Sequence, residues 1–157
     1  MASDFAATVT AYVENGSEVQ DFVPSQTAGE TAAAPGELMY LDTATGTIKR
    51  CGADPSLIAG VSEVVSEDAR VLTPDGRIPL RLLKPNALVR MCSATTPVRA
   101  THEGVAYGIV RLSSGHWAVD VSDTSNTRVV VKKVVPATGE WFVSFLAASL
   151  QFDAIAS

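Results

Sequence analysis

His102, His116, Cys51, Cys92 and a few serine- and aspartate-rich turns are the places where this chain could hold chemistry. His102-Glu103 begins like the His-Glu-x-x-His helix of zinc proteases. There, two imidazoles one helical turn apart hold the metal and the glutamate activates water. The second imidazole would stand at position 106, which is Ala106, so this spacing yields a single ligand. Ser113-Ser114-Gly115-His116 pairs a hydroxyl with an imidazole. A nucleophile elbow, however, needs Gly-x-Ser-x-Gly between a strand and a helix. The residues read instead as a hairpin turn, with His116 on the wet face of the strand that follows. Asp120, Ser122, Thr124 and Asn126 alternate as ligands of a calcium loop do, yet Ser125 stands where that loop needs Gly and Val131 where it needs a bidentate Glu. They read as a polar loop capping strands. Glu67 and Asp68 are adjacent, and adjacent side chains on a turn or strand point apart, so they make no acid/base pair. No Gly-x-x-x-x-Gly-Lys-Ser/Thr or Gly-x-Gly-x-x-Gly phosphate loop is present in the sequence. Cys51 and Cys92 lie 41 positions apart with no Cys-x-x-Cys between them. They read as two buried free thiols, because unpaired Cys behaves as a small apolar residue. The expectation is a chain without catalytic residues, metal or cofactor, and not an enzyme.

Composition points the same way. The chain has 157 residues, 46% of them apolar and 18% charged, which suits one ordinary domain with a conventional core. The net charge is −5, a poor match for duplex DNA or an anionic membrane surface. The N-terminus lacks the basic and apolar regions of a signal peptide, and no run approaches the roughly 20 apolar residues that span a bilayer. The expectation is a soluble chain folding in a reducing cytoplasm. Charge is segregated: residues 1–69 hold eleven acids and two bases, and residues 70–99 hold six bases and one acid. The basic stretch either folds against acidic neighbours of its own chain or meets acidic zones of neighbouring molecules.

The elements that must position these residues read as strands. Asn15-Gly16, Thr45-Gly46, Pro74-Asp75-Gly76, Ser114-Gly115 and Thr138-Gly139 supply turn residues that tolerate positive φ. Between them, Trp117, Val119 and Val121 share one face of a segment, and Trp141, Val143 and Phe145 share one face of another. Leu38–Leu41 and Leu57–Val61 are apolar on both faces, as central strands are. This predicts an all-β fold, a small barrel or sandwich of short antiparallel strands with an N-terminal arm or hairpin. Pro74-Asp75-Gly76-Arg77 predicts a hairpin into Ile78–Leu82, and Pro79 predicts that this strand lies at an edge or leaves the sheet there. A helical turn is expected only at Pro55–Ala59, and a last strand over Leu150–Asp153. Residues 24–37 read as a linker or irregular surface loop. The chain thus divides into an N-terminal arm or hairpin with its linker, 1–35, and a β domain, 36–157. The first segment carries Phe5, Val9, Tyr12, Val13, Val19, Phe22 and Val23, so it either forms the first hairpin of the domain or binds a partner. In the second case, deleting residues 1–23 leaves the domain folded.

One stretch carries a likeness: Ala28-Gly29-Glu30-Thr31, then Pro35-Gly36-Glu37-Leu38-Met39-Tyr40-Leu41-Asp42-Thr43-Ala44-Thr45-Gly46-Thr47-Ile48-Lys49-Arg50, then Leu57-Ile58-Ala59-Gly60-Val61-Ser62. It resembles the small β-rich head decoration, or capsid cement, proteins of tailed bacteriophages. Their pattern is a Gly-led strand, a Gly turn, a charged strand and an Ile-Ala-Gly-Val-like strand. The resemblance implies a protein made in the host cytoplasm that binds the exterior of an assembled head, often as a trimer. Its partner is the lattice of major capsid protein, with no nucleic acid, membrane or cofactor. The candidate contacts are Phe5, Tyr12 and Phe22 in the first segment and Arg77, Arg81 and Arg90 in the basic zone. The basic stretch 70–99 has no counterpart in the pattern. The alternative is another β-structural or binding module, such as a tail, fibre or carbohydrate-binding domain.

Overall fold

The computed structural model describes residues 3–12, 19–22, 36–52, 55–62, 78–84 and 87–152. The fold is all-β: the described residues form eleven strands, a one-turn helix α1 (Arg99–His102) and a 3₁₀ turn at Ala147–Ser149. The strands are β1 (Thr8–Tyr12), β2 (Val19–Phe22), β3 (Leu38–Asp42), β4 (Thr47–Arg50), β5 (Gly60–Ser62), β6 (Ile78–Leu82), β7 (Ala87–Met91), β8 (Ala106–Arg111), β9 (Trp117–Asp120), β10 (Val129–Val135) and β11 (Glu140–Phe145). They form a six-stranded sheet ordered β1-β7-β11-β10-β8-β9 and a five-stranded sheet ordered β2-β6-β5-β3-β4, antiparallel throughout.

The larger sheet curls back on itself. Cys92, just past β7, forms a parallel bridge with Ala118 of β9, and the Val119 N–H donates to the Cys92 carbonyl at 2.9 Å. The curl is filled by Trp117 and Val119 from β9 and Trp141, Val143 and Phe145 from β11, on the faces that alternation marked out, joined by Val89 and Met91 from β7; all are buried. Gly46, Gly115 and Gly139 hold φ of 71°, 90° and 75°, so three of the expected turns form where glycine permits them. The Asn15-Gly16 and Pro74-Asp75-Gly76 turns lie outside the described residues.

The five-stranded sheet lies on this core. Leu38, Ile58 and Val61 join the main cluster, while Met39, Ala59, Ile48, Leu80 and Leu82 form a second one. Neighbouring residues of β3 and of the segment leading into β5 thus feed different clusters, the reason those segments are apolar on both faces. Gly60 has its neighbour's backbone where a side chain would begin: a Cβ there would collide with the Arg81 carbonyl of β6.

Four expectations need correction. β6 is not an edge strand, since it lies between β2 and β5. The described pairing with β5 runs to Leu80, and Pro79 lies opposite Asp21 of β2. The helical turn forms at Arg99–His102 and not at Pro55–Ala59, where Ile58 makes a parallel bridge with Leu150. Among the described residues that bridge, with the Gln151 N–H donating to the Ile58 carbonyl at 2.8 Å, stands in place of the expected final strand, and residues 151–152 form a turn. Gly36 and Glu37, at the end of the expected surface loop, are buried. Gly36 has φ of 88°, and a Cβ there would stand 2.7 Å from that of Ala6, so the chain entering β1 passes directly over it.

Candidate functional site

Of the residues singled out for chemistry, the fold gathers Ser114 and His116, in the β8–β9 turn, with Asp4, more than a hundred positions away. The three side-chain types are those of a hydrolase triad, but the wiring is different. His116 Nδ1 and Ser114 Oγ both bond the same oxygen, Asp4 Oδ1, at 2.6 and 2.8 Å. The serine O–H is spent on the carboxylate, so the imidazole has no proton to take from it, whereas a triad needs a nucleophile–base bond. The His116 bond, then the Ser114 bond, hold the Asp4 carboxyl below its ordinary range. The cluster fastens the N-terminal segment to the turn.

Neighbouring contacts fasten it further. Ser3 N–H donates to the Ser93 carbonyl at 2.9 Å, and Ser3 Oγ donates to the Gly139 carbonyl at 2.5 Å. Phe5 lies under the Arg90 guanidinium, 3.9 Å from its ring centre, and Arg90 Nε also pairs with Glu140 at 2.5 Å. Two proposed contact residues, Phe5 and Arg90, therefore form one half-buried patch. Tyr12 ends β1 opposite Ala87, Phe22 ends β2 opposite Ile78, and Arg81 in β6 lies opposite Val19 and Val61. Arg81 is half-buried. Arg77 lies outside the described residues. The five described ones are thus distributed over both sheets.

The other motifs resolve into structure. His102 is buried against Trp141, ring centres 4.8 Å apart, and its Nδ1 accepts the Val98 N–H at 2.8 Å, closing α1. Asp120 and Asp123 turn into their own loop: Asp120 accepts from Ser122, and Asp123 accepts the N–H groups of Ser125 and Asn126 at 3.2 and 2.9 Å. The Asn126 bond leads in holding the Asp123 carboxyl low. Both cysteines are buried free thiols. Burial, with Glu37 nearby, pushes the Cys51 thiol up to about 12, which leaves no useful thiolate.

Sequence reading missed Glu37. It stands just before β3, is 2% exposed, and receives Arg111 Nε and Nη2 on Oε1 at 3.0 and 2.8 Å. Arg111 ends β8, so the pair ties the two sheets together. Arg50, at the end of β4, brings its Nε to 3.8 Å from Oε2. The nearest signal in the sequence is an acid opening an apolar strand, and its partners lie 13 and 74 positions on. A groove of about 540 Å³ lies beside β3, lined by Tyr40, Leu41, Cys51, Pro55, Leu57 and Gln151 among others. The Gln151 amide spans it, accepting the Leu41 N–H and donating to the Leu41 carbonyl, each at 2.7 Å. No group of three or more metal-ligating side chains occurs among the described residues. Comparison with protein-family models, with curated proteins and with solved structures returns no match.

Proposed function

We propose that this chain is a head decoration protein of a tailed bacteriophage. It adheres to the outer surface of the assembled shell as a homotrimer and stabilises it by bridging capsid subunits. The observation that carries the reading is the resemblance over residues 28–62, whose described strands β3, β4 and β5 lie side by side at one end of the five-stranded sheet. The likeness thus falls on one contiguous structural unit. The competing carbohydrate-binding reading loses its strongest platform, because Trp117 and Trp141 are fully buried.

The physics of such a role is differential adhesion. A ligand shifts a shell toward the expanded state only by the difference in its affinity for the two states. Three linked copies on a symmetric site raise avidity by roughly 10²–10⁴ over one contact. Binding in this reading uses the Phe5–Arg90–Glu140 patch as a preassembled surface together with the backbone edges of β1 and β2, on the virion exterior. The test is co-sedimentation of the full chain with expanded and unexpanded heads, with its mass in solution measured alongside. Saturable binding to expanded heads by a trimer is expected. A monomer that stays in the supernatant with both kinds of head overturns the reading.

A further inference from the structure

Glu37 has two cationic neighbours, and only one of them is hydrogen-bonded to it. Arg111 alone neutralises the carboxylate and ties β8 to the five-stranded sheet. Arg50 is surplus: its Nε lies 3.8 Å from Oε2, past hydrogen-bond reach, and Oε2 is buried with no hydrogen-bond partner among the described residues. The two arginine side chains are 34% and 35% exposed, while the glutamate between them is 2% exposed. One carboxylate and two guanidiniums leave a unit positive charge on the surface of a chain whose net charge is −5. Among the described residues, the Nη groups of Arg50 make no polar contact. A buried acid that holds one guanidinium and lies within ion-pair distance of a second keeps two cations together at one place on the surface, which lowers the ordering cost of binding an anion.

We propose that Arg50 and Arg111, seated on Glu37, form a docking point for a carboxylate side chain of a partner protein. The charge sum selects the ligand: one carboxylate brings the cluster to zero, whereas a phosphate dianion would overshoot it. The planar guanidinium also matches a carboxylate with two parallel N–H donors. That the carboxylate belongs to a protein rests on the shell-binding reading, and the anion site itself does not.

The test follows the arginine Nε–H resonances of the ¹⁵N-labelled full chain while a capped triglutamate peptide is added at constant ionic strength. Sodium phosphate is titrated in parallel. The Arg50 and Arg111 signals shift together and saturate with the peptide. Arg50→Gln weakens binding by ~10-fold or more, the scale of one charge-assisted pair. Arg50→Lys, which keeps the charge and loses the fork, also weakens it. Shifts that never saturate, or equal affinity in both variants and the parent, overturn the proposal. Tighter saturation by phosphate than by peptide overturns the assignment to a protein carboxylate. No heads are used, so failure here leaves shell binding standing, and failed co-sedimentation leaves this site standing.

Discussion

Asp4 is about half exposed, yet one of its oxygens joins the N-terminal segment to the β8–β9 turn through both Ser114 and His116. Those bonds depress its pKa in the folded chain, the His116 bond foremost. A carboxyl whose folded pKa is depressed contributes stability that is complete above its unfolded value, near 3.9, and is lost as pH falls through the lower folded value. The fastening therefore holds at neutral pH and releases in acid. Amide exchange of β1, expressed as protection factors, is expected to drop between pH 5 and pH 3. Asp4→Asn should show lower protection already at pH 5 and a flatter profile. An unchanged profile in that variant would assign the acid response to another carboxylate such as Glu140, which Thr138 and Arg90 also hold low. At this scale the sequence was half legible. The turn holding Ser114 and His116 was readable, as were the cysteines as buried thiols. Asp4 and Glu37 were not, because their partners become neighbours only through tertiary packing over 110 and 74 positions.

β10 shows how a sequence interruption becomes a structural device. Val129, Val131 and Val134 are all buried, which strict alternation forbids, because Val134 follows Val131 by three positions, an odd step. A bulge at Lys132 absorbs the extra residue: the pairing with β11 steps from Val131–Val143 to Lys133–Phe142 and then Val134–Trp141. The turn after α1 serves it, since Gly104 N–H donates to the Val131 carbonyl at 2.8 Å and Glu103 Oε1 accepts the Val134 N–H at 3.0 Å. Deleting Lys132 alone restores plain alternation and keeps Val129, Val131 and Val134 inward, so the loss is expected to be modest, roughly 1–2 kcal/mol for the misplaced hydrogen bonds. Deleting Lys132 and Lys133 together brings Val134 to the outward position after Val131 and should unfold the chain or weaken it by several kcal/mol. Urea unfolding of the two variants checks this, and equal losses would discard the bulge account. Alternation made the strands around Trp117 and Trp141 readable, but a bulge is a relation between two strands and has no signature in one. The same limit explains α1. Its four residues have no side-chain N-cap and form because His102 is anchored against Trp141. Pro79 misled for a related reason: whether a strand lies at an edge or between two others is set by strands distant in sequence, here β2 and β5.

Across the whole molecule, the N-terminal segment is the piece whose role changes most between sequence and fold. β6 leads through residues 83–86 into β7, crossing from the five-stranded sheet to the six-stranded one. β1 and β2 retrace that crossing in reverse, β1 antiparallel to β7 and β2 antiparallel to β6. The segment therefore closes one edge of each sheet, and Ala7 is buried in the main core. The charge segregation is partly met inside the chain as well, since Arg90 of the basic stretch pairs with Glu140. The apolar content of residues 1–23 showed that they must be covered, but not by what, because edge pairing is made by backbone groups that every residue carries. Removing residues 1–23 strips a strand from both β6 and β7, leaving two open ladders that template association between chains. The truncated chain is expected to melt ~10 °C or more below the full chain, the scale of several kcal/mol at this size, and to self-associate in light scattering. Phe5→Ala removes only the ring under Arg90, a contact worth about 0.5–1 kcal/mol, and should shift the midpoint by a few degrees with no association. If the truncated protein instead stays monodisperse with its midpoint intact, the segment is an appended arm whose strands contribute nothing to the fold. Any loss of shell binding on truncation would then report contact with the partner and not collapse of the two sheet edges.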